Sequence, residues 1–154
     1  MLKNDILIVY NGSGSEHAVE EGFRAAQSSS TKAKVLQILD SELYHYGRND
    51  LVAPRLNKQR FLLYIRDQVL ERGLIEADQL REKARNMGVP LEIDPVDPAE
   101  ADDVLSTVIE EAEKGYEMIY LAKEKKRLFP LLGNRTLEQS LRKRGFRNII
   151  VVSC

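Results

Sequence analysis

The chain has 154 residues, of which 43% are hydrophobic and 31% charged, and its formal net charge is -1. These values predict one globular domain, residues 1–154, that buries a core without disulfides or metals, and they exclude a disordered chain. No apolar run is long enough to span a membrane and the first residues do not resemble a secretion signal, so we expect a cytoplasmic protein without a membrane partner. The only cysteine is Cys154, which excludes an internal disulfide and a cysteine-based metal site.

Charge is unevenly distributed along the chain. Residues 123–147 carry nine Lys or Arg against two Glu, a net charge of +7, whereas the remainder has 14 basic and 22 acidic side chains, a net charge of -8. A local basic cluster on a mildly acidic body favours a discrete anionic ligand over nucleic acid, because nucleic-acid-binding domains are usually basic throughout. A solvated basic helix face would give the same pattern.

The first predicted element is a strand, an apolar run that begins at Asp5 and ends at Tyr10. A glycine-rich turn follows over residues 11–15. Ser13 and Glu16, three residues apart, match a capping box, so a helix is predicted to start there. Strand, glycine-rich turn and helix together form the first half of a βαβ unit.

The second predicted strand covers residues 33–39, and an irregular segment over residues 41–57 follows it. Within that segment, residues 44–50 are a candidate lid or partner-binding loop. A long helix is predicted from about Lys58 to Met87, because apolar residues recur there at steps of three and four. Gly73 falls on this apolar stripe, which indicates close packing or a kink.

The second half of the chain repeats the alternation of strand and helix. Asp97 and Pro98 begin a helix that is predicted to run to Lys114, where Gly115 ends it. The remaining predicted elements are strands at residues 91–96, 116–122 and 148–153 and a last helix at residues 134–144. Five strands separated by helices predict an α/β fold with a single doubly wound parallel sheet.

The predicted ligand site lies beyond the carboxyl ends of the strands, where the winding of such a sheet reverses. We expect the first and fourth strands to flank that point, so the loops at residues 11–15 and 123–136 would face one crevice. Each loop leads to a helix N-terminus, whose free N–H groups and dipole favour an anion. Two such loops suit a nucleotide, although a tight turn would also explain Gly12 and Gly14.

At this point the residues resemble the universal stress protein family over nearly the whole chain. The resemblance rests on the helix start Gly14-Ser-Glu-His-Ala18, the long helix after the second strand, the Glu-rich helix before the fourth, and Leu131-Leu-Gly-Asn134 before the last helix and its Ile-Val-Val strand. It implies a Rossmann-like sheet of five strands in the order 3-2-1-4-5 with helices on both faces, and a homodimer.

One branch of that family binds ATP through Gly, two residues, Gly, nine residues and Gly-Ser/Thr after the fourth strand. Here Ala122 and Lys125 stand where the first two glycines belong, and only seven residues separate Lys125 from Gly133. The branch's first-strand aspartate, which contacts adenosine, is replaced by Asn11 or by Ser13, depending on the alignment. The motif is therefore broken.

The resemblance implies the following nucleotide-binding residues: Asn11, Gly12, Ser13, Ile38, Lys123, Lys125, Lys126, Gly133 and Asn134. Ile38 is included for its backbone, which would meet the adenine edge. In one alternative, ATP or AMP still binds because positive charges replace the backbone amide donors; these charges are Lys123, Lys125, Lys126 and Arg127. In the other alternative, the chain binds no cofactor. Bulky side chains where phosphate needs close backbone approach favour weakened, altered or lost binding.

The predicted function is a non-catalytic stress-response or regulatory module, because no nucleophile, base and orienting group can be assembled in the crevice. The alternative is a dinucleotide-binding, NAD-type Rossmann protein or redox enzyme subunit that uses Gly12, Gly14 and Asp40. Such proteins carry three glycines after the first strand, and Gly12 and Gly14 match the first two. Against this alternative, His17 stands at the third position and is too large for that glycine's role in helix packing.

A homodimer is expected through the last strand, since Ile149–Val152 carries neither charge nor proline and should pair with another chain at a sheet edge. Burial of that edge by the last helix would remove the interface. A regulatory module of this kind could also have a separate protein partner.

Overall fold

The computed structural model describes residues 5–11, 15–39, 55–97, 104–123 and 137–152, with the side chains of the third range described from Arg66 onward. The strands are β1 (Ile6–Tyr10), β2 (Ala33–Ile38), β3 (Leu91–Val96), β4 (Met118–Ala122) and β5 (Ile149–Val152). The helices within these ranges are α1 (Glu16–Ser29), α2 (Arg55–Met87), α3 (Val104–Ala112) and α4 (Leu137–Lys143).

The five strands form one parallel sheet in the order β3-β2-β1-β4-β5. This confirms the predicted α/β class and strand order. β1 lies at the centre, between β2 and β4, and all of its residues are buried, as its continuous apolar sequence predicted. The winding reverses between β1 and β4, and β5 lies at an edge of the sheet.

Two hydrophobic layers lie on opposite faces of the sheet, because successive side chains of a strand point to opposite sides. Ile6, Ile8 and Tyr10 pack with α1 and α2, whereas Leu7 and Val9 pack with α3 and α4. The helices contribute Val19, Phe23, Leu80 and Ala84 to the first layer, and Val108, Ile109, Leu137 and Leu141 to the second. The sheet is therefore doubly wound, with helices on both faces, as predicted.

Helix α1 starts later than the capping box predicted. It begins at Glu16, so its N-cap residue is Ser15 and not Ser13, and the Ser15 side chain makes no capping hydrogen bond. The physical reason is that the Ser15 hydroxyl is already bonded to Asn11. At its other end the helix is closed by Ser30, in the left-handed conformation with φ 52°.

Helix α2 is continuous over 33 residues and passes through Gly73 without a break. A Cβ at Gly73 would lie 2.6 Å from Leu39 Cδ2, and the Gln37 side chain donates a 2.7 Å hydrogen bond to the Gly73 carbonyl oxygen. The predicted close packing at this glycine is confirmed. Apolar side chains on the same stripe are buried, namely Val69, Ala77, Leu80 and Ala84.

The predicted start of α2 at Lys58 was three residues late, since the helix begins at Arg55. Pro54 precedes it in the sequence, and proline favours the beginning of a helix because its φ is already helical. Residues 55–57, predicted to be irregular, are therefore helical. The candidate lid or partner loop, residues 44–50, lies outside the described residues.

Helix α3 ends at Ala112, two residues before the predicted Lys114, because a turn with Gly115 at φ 94° follows it. Its predicted start at residues 97–100 falls largely outside the described part of the chain. Strand β4 begins at Met118 and not at residue 116. The Tyr116 backbone instead accepts a 2.7 Å hydrogen bond from the Asn148 side chain.

Candidate functional site

A cleft of about 160 Å³ opens at the carboxyl edge of the sheet, between the ends of β1, β4 and β5 and the first turn of α4. Its position next to the β1–β4 reversal is the place where open parallel sheets bind ligands. The apolar lining consists of Val9, Leu121, Ala122, Leu137 and Val151, and the polar lining of Asn11, Lys123, Glu138 and Gln139.

The floor of the cleft is a row of three apolar side chains on adjacent strands. Val9 of β1 is in register with Leu121 of β4, which is in register with Val151 of β5. Leu137 of α4 packs against the same layer and is buried. Because this layer is dry, the floor suits a flat apolar group better than a charged one.

Asn11 and Lys123 lie on the rim of the cleft. Each lies two residues beyond a floor residue of its strand, so both side chains belong to the same face of the sheet. The Lys123 backbone N–H donates a 2.9 Å hydrogen bond to the Val152 carbonyl oxygen, which holds the end of β4 against β5. The exposed Lys123 ammonium group places a positive charge at this rim.

A pair of hydrogen bonds joins Asn11, at the end of β1, to Ser15, before α1. The Asn11 backbone N–H donates to Ser15 Oγ at 3.0 Å, and the Ser15 hydroxyl donates to Asn11 Oδ1 at 2.5 Å. Ser15 is 0% exposed, so both bonds are shielded from water on that side. One of the two polar atoms of the Asn11 carboxamide is therefore used inside the protein.

The carboxylate in the lining is also engaged. Arg142 Nε donates a 2.9 Å hydrogen bond to Glu138 Oε2, one helical turn away on α4. This pair is largely exposed, so it contributes little to stability, but it offsets the negative charge nearest the cleft. The hydrogen-bond donors of the rim, the Lys123 ammonium group and the Asn11 amide, therefore lie on its strand side, opposite Glu138 and Gln139 of α4.

Tyr10 is at the same edge of the sheet but points into the other layer, with α1 and α2. Burial, together with a hydrogen bond to Glu76, raises the pKa of the Tyr10 phenol well above its usual range. The phenol therefore stays protonated at neutral pH and cannot act as a base towards a ligand in the cleft.

The predicted site residues are only partly brought together. Asn11 and Lys123 meet at the cleft, on neighbouring strands. Ile38 is 7% exposed at the end of β2, on the far side of β1 from β4, and does not line the cleft. The other predicted residues lie outside the described ranges, namely Gly12, Ser13, Lys125, Lys126, Gly133 and Asn134, as do Gly14 and Asp40 of the NAD-type alternative.

Sequence reasoning missed Ser15, the floor residues and Gln139. The spacing of Asn11 and Ser15 in a glycine-rich stretch of the sequence is a signal that could have indicated their hydrogen bonds.

Within the part of the chain that the structure describes, no cluster of three His, Cys, Asp or Glu side chains could hold a metal ion. Among the described helices, none is both long and apolar enough to cross a membrane.

The sequence matches no protein-family model and no curated protein sequence. The fold, in contrast, matches solved structures over essentially the whole chain. Hypothetical protein MJ0577 superimposes with a TM-score of 0.67 at 13% identity, covering 100% of this chain and 98% of that one.

Two further matches are universal stress proteins with nucleotides bound. One, in complex with cAMP, has a TM-score of 0.57 at 14% identity and covers 99% of this chain and 98% of its own. The other, from Archaeoglobus fulgidus in complex with dAMP, has a TM-score of 0.53 at 9% identity and covers 98% of each chain. Identities this low establish the fold that the chains share.

Proposed function

We propose that this chain, which has the fold of the universal stress proteins, is a non-catalytic regulatory or stress-response module that binds an adenine nucleotide weakly. The observation that carries this proposal is the cleft at the β1–β4 reversal, with the floor row Val9, Leu121 and Val151 and with Asn11 and Lys123 on its rim. An apolar floor suits a base, and a donor-bearing rim suits oxygen acceptors or phosphate.

The bound cAMP and dAMP of two proteins with this fold support an adenine nucleotide as the ligand class. Weak binding is supported by the size of the cleft. Its volume of about 160 Å³ is below the roughly 300 to 1,000 Å³ of ordinary small-molecule sites. It is also supported by the sequence, in which Ala122 and Lys125 replace glycines that would let the backbone approach phosphate.

The absence of catalysis is part of the proposal. A catalytic centre would need a nucleophile or base next to the ligand, with a third group that orients it. Of the described polar residues in the lining, Glu138 is paired with Arg142, Asn11 and Gln139 do not titrate, and Lys123 is exposed with no described side chain that orients it. Regulation through occupancy of the cleft needs none of these catalytic groups.

We further propose that the module is a homodimer through β5. This strand lies at the sheet edge, carries no charge and leaves Ile150, Val151 and Val152 partly exposed. An apolar edge strand without a charge or a proline is a template for pairing with another chain. Light scattering with size-exclusion chromatography should give twice the mass of the chain, and a monomer at micromolar concentration would contradict this part.

Calorimetric titration with Mg-ATP, AMP and NAD tests the proposed ligand class. We expect AMP and Mg-ATP to bind with Kd on the order of 0.1 mM or weaker, and NAD to bind no better. Binding of NAD alone would support the dinucleotide-binding alternative instead. No binding of any of the three would show that the cleft is not a nucleotide site.

A further inference from the structure

We propose that Ser15 and Asn11 together set the specificity of the cleft, so that the ligand group seated against Asn11 must accept hydrogen bonds. This inference rests on the proposed nucleotide site and adds to it the chemistry of one contact. The 2.5 Å separation of Ser15 Oγ and Asn11 Oδ1 is characteristic of an O–H···O bond and is too short for an N–H donor. The carboxamide oxygen is thus turned towards Ser15, and Nδ2 is its remaining polar atom.

Ser15 can hold this orientation because its hydroxyl is used twice. It accepts the Asn11 backbone N–H at 3.0 Å, which leaves its own proton to donate to Oδ1. Rotating the carboxamide by half a turn would place an N–H group against Oγ and leave the buried hydroxyl proton without Oδ1 as its acceptor. Ser15 is 0% exposed, so water cannot easily replace that acceptor.

The rest of the rim agrees with this polarity. Lys123 can only donate hydrogen bonds, and Oε2 of the Glu138 carboxylate is bonded to Arg142. The acceptors that remain in the lining, Glu138 Oε1 and the Gln139 carboxamide oxygen, belong to α4 and not to the strands. On its strand side the cleft therefore offers Nδ2 of Asn11 and Nζ of Lys123, both donors, above an apolar floor. A ligand oxygen, such as a hydroxyl, a phosphate or a ring carbonyl, fits this arrangement, whereas an amino group at Asn11 would face another donor.

The decisive variant is Asn11→Asp, because the proposed donor role of Asn11 predicts weaker AMP binding, whereas the family resemblance predicts stronger AMP binding. Ser15 can still donate to one carboxylate oxygen, so the turn keeps its hydrogen bond, while the other oxygen replaces the Nδ2 donor. We expect AMP affinity to fall by about tenfold or more. The resemblance to ATP-binding universal stress proteins, whose aspartate aligns with Asn11 in one of the two alignments, would instead suggest that the substitution strengthens binding.

Gln139→Glu is the matched control, since it adds the same negative charge to the lining without changing Asn11. Its AMP affinity should fall by less than about threefold, because that charge lies on the helix side of the cleft and is partly screened by water. A loss as large as that of Asn11→Asp would mean that net charge, and not donor orientation, controls binding.

Ser15 acts through Asn11 and is a positioning residue, so its test needs a readout at Asn11 itself. In the unmodified protein, AMP should shift both Nδ2 proton signals of Asn11 in ¹H–¹⁵N NMR spectra. In Ser15→Ala, we expect this shift to be smaller and AMP affinity to fall by about threefold, because the carboxamide is no longer held in one orientation. If Ser15→Ala fails to fold, the Asn11→Asp comparison still decides the inference.

The possible failures are distinguishable. If the unmodified protein binds AMP and Asn11→Asp binds it equally well or better, the inference is overturned and the proposed function stands. If the Nδ2 signals do not respond to AMP although AMP binds, Asn11 is not a contact residue and the inference is likewise overturned. If the unmodified protein binds no nucleotide, both the proposed function and the inference fail.

Discussion

Polar side chains are buried and paired at the amino edge of the sheet, whereas at the carboxyl edge they line an open cleft. At the amino edge, Glu111 of α3 is 4% exposed and is bonded to Lys34 of β2, to Lys114 at 2.6 Å and to the Tyr116 hydroxyl at 3.2 Å. At the carboxyl edge, Lys123 has no ion-pair partner among the described residues, and Asn11, whose Oδ1 is bonded to Ser15, lines the cleft. Matched charges close the first edge, whereas unmatched donors make the second a candidate binding site.

The amino edge is also the more buried of the two charged regions. The Lys34 side chain is 11% exposed and lies within 4.0 Å of Glu92 and Asp94 of β3 as well as Glu111. Burial of a charge is tolerated only when partners replace the lost water. Charge is therefore paired and buried at the amino edge, whereas the charge of Lys123 at the carboxyl edge is exposed and has no described ion-pair partner.

The largest expected effect is on stability and comes from Glu111→Gln. The variant keeps the size of the side chain but leaves the buried Lys34 ammonium without its closest carboxylate. We expect a loss of about 3 kcal/mol in the free energy of unfolding, measured by urea denaturation. Glu113→Gln, on the exposed turn beside it, should change stability by less than about 0.5 kcal/mol. Equal effects of the two substitutions would show that the buried Glu111 carboxylate stabilises the protein no more than an exposed one.

The second prediction concerns pH. Burial by itself raises the pKa of Glu111, but hydrogen bonds and charges of Lys114 and Lys34 outweigh burial, so the pKa lies below its ordinary value of 4.5. A carboxyl group with a depressed folded-state pKa stabilises the protein above its unfolded-state value, and this contribution is lost as the pH falls through the folded-state value. The stability difference between the unmodified protein and Glu111→Gln should therefore shrink below about pH 4.5. A difference that stays constant down to pH 3 would contradict the lowered pKa.

The smallest expected effect on stability is at the carboxyl edge, with Lys123→Gln. Because this ammonium group is exposed, its loss should change the free energy of unfolding by less than about 0.5 kcal/mol. AMP affinity should nevertheless fall by about two- to fivefold, since one attractive charge leaves the rim. Lys143→Gln removes the same charge from an exposed position on α4 outside the cleft lining and should leave affinity unchanged. Equal losses in the two variants would mean that Lys123 acts only through the long-range field of the protein.

The sequence was sufficient to predict the architecture because its signals are local. Continuous apolar runs such as β1 indicate buried strands, and the alternation of strands with helices indicates a parallel doubly wound sheet. The same reasoning predicted that Gly73 would be closely packed and that a ligand site would lie beside the ends of β1 and β4. The boundary errors at α1, α2, α3 and β4 were two or three residues. Those at α1 and β4 lie next to side-chain hydrogen bonds that the local pattern does not reveal, whereas those at α2 and α3 lie next to Pro54 and Gly115 in the sequence.

The tertiary structure alone decided which side chains meet. In the sequence, Glu111 resembles other acidic residues of a helix surface, and its burial follows from contact with β2, which is far away along the chain. The floor row Val9, Leu121 and Val151 depends on the register of three strands, and the hydrogen bond that uses Asn11 Oδ1 depends on how close Ser15 lies to Asn11. Periodicity and end signals determine helices and strands, but register and side-chain pairing come from long-range packing, and these set the chemistry of the candidate site.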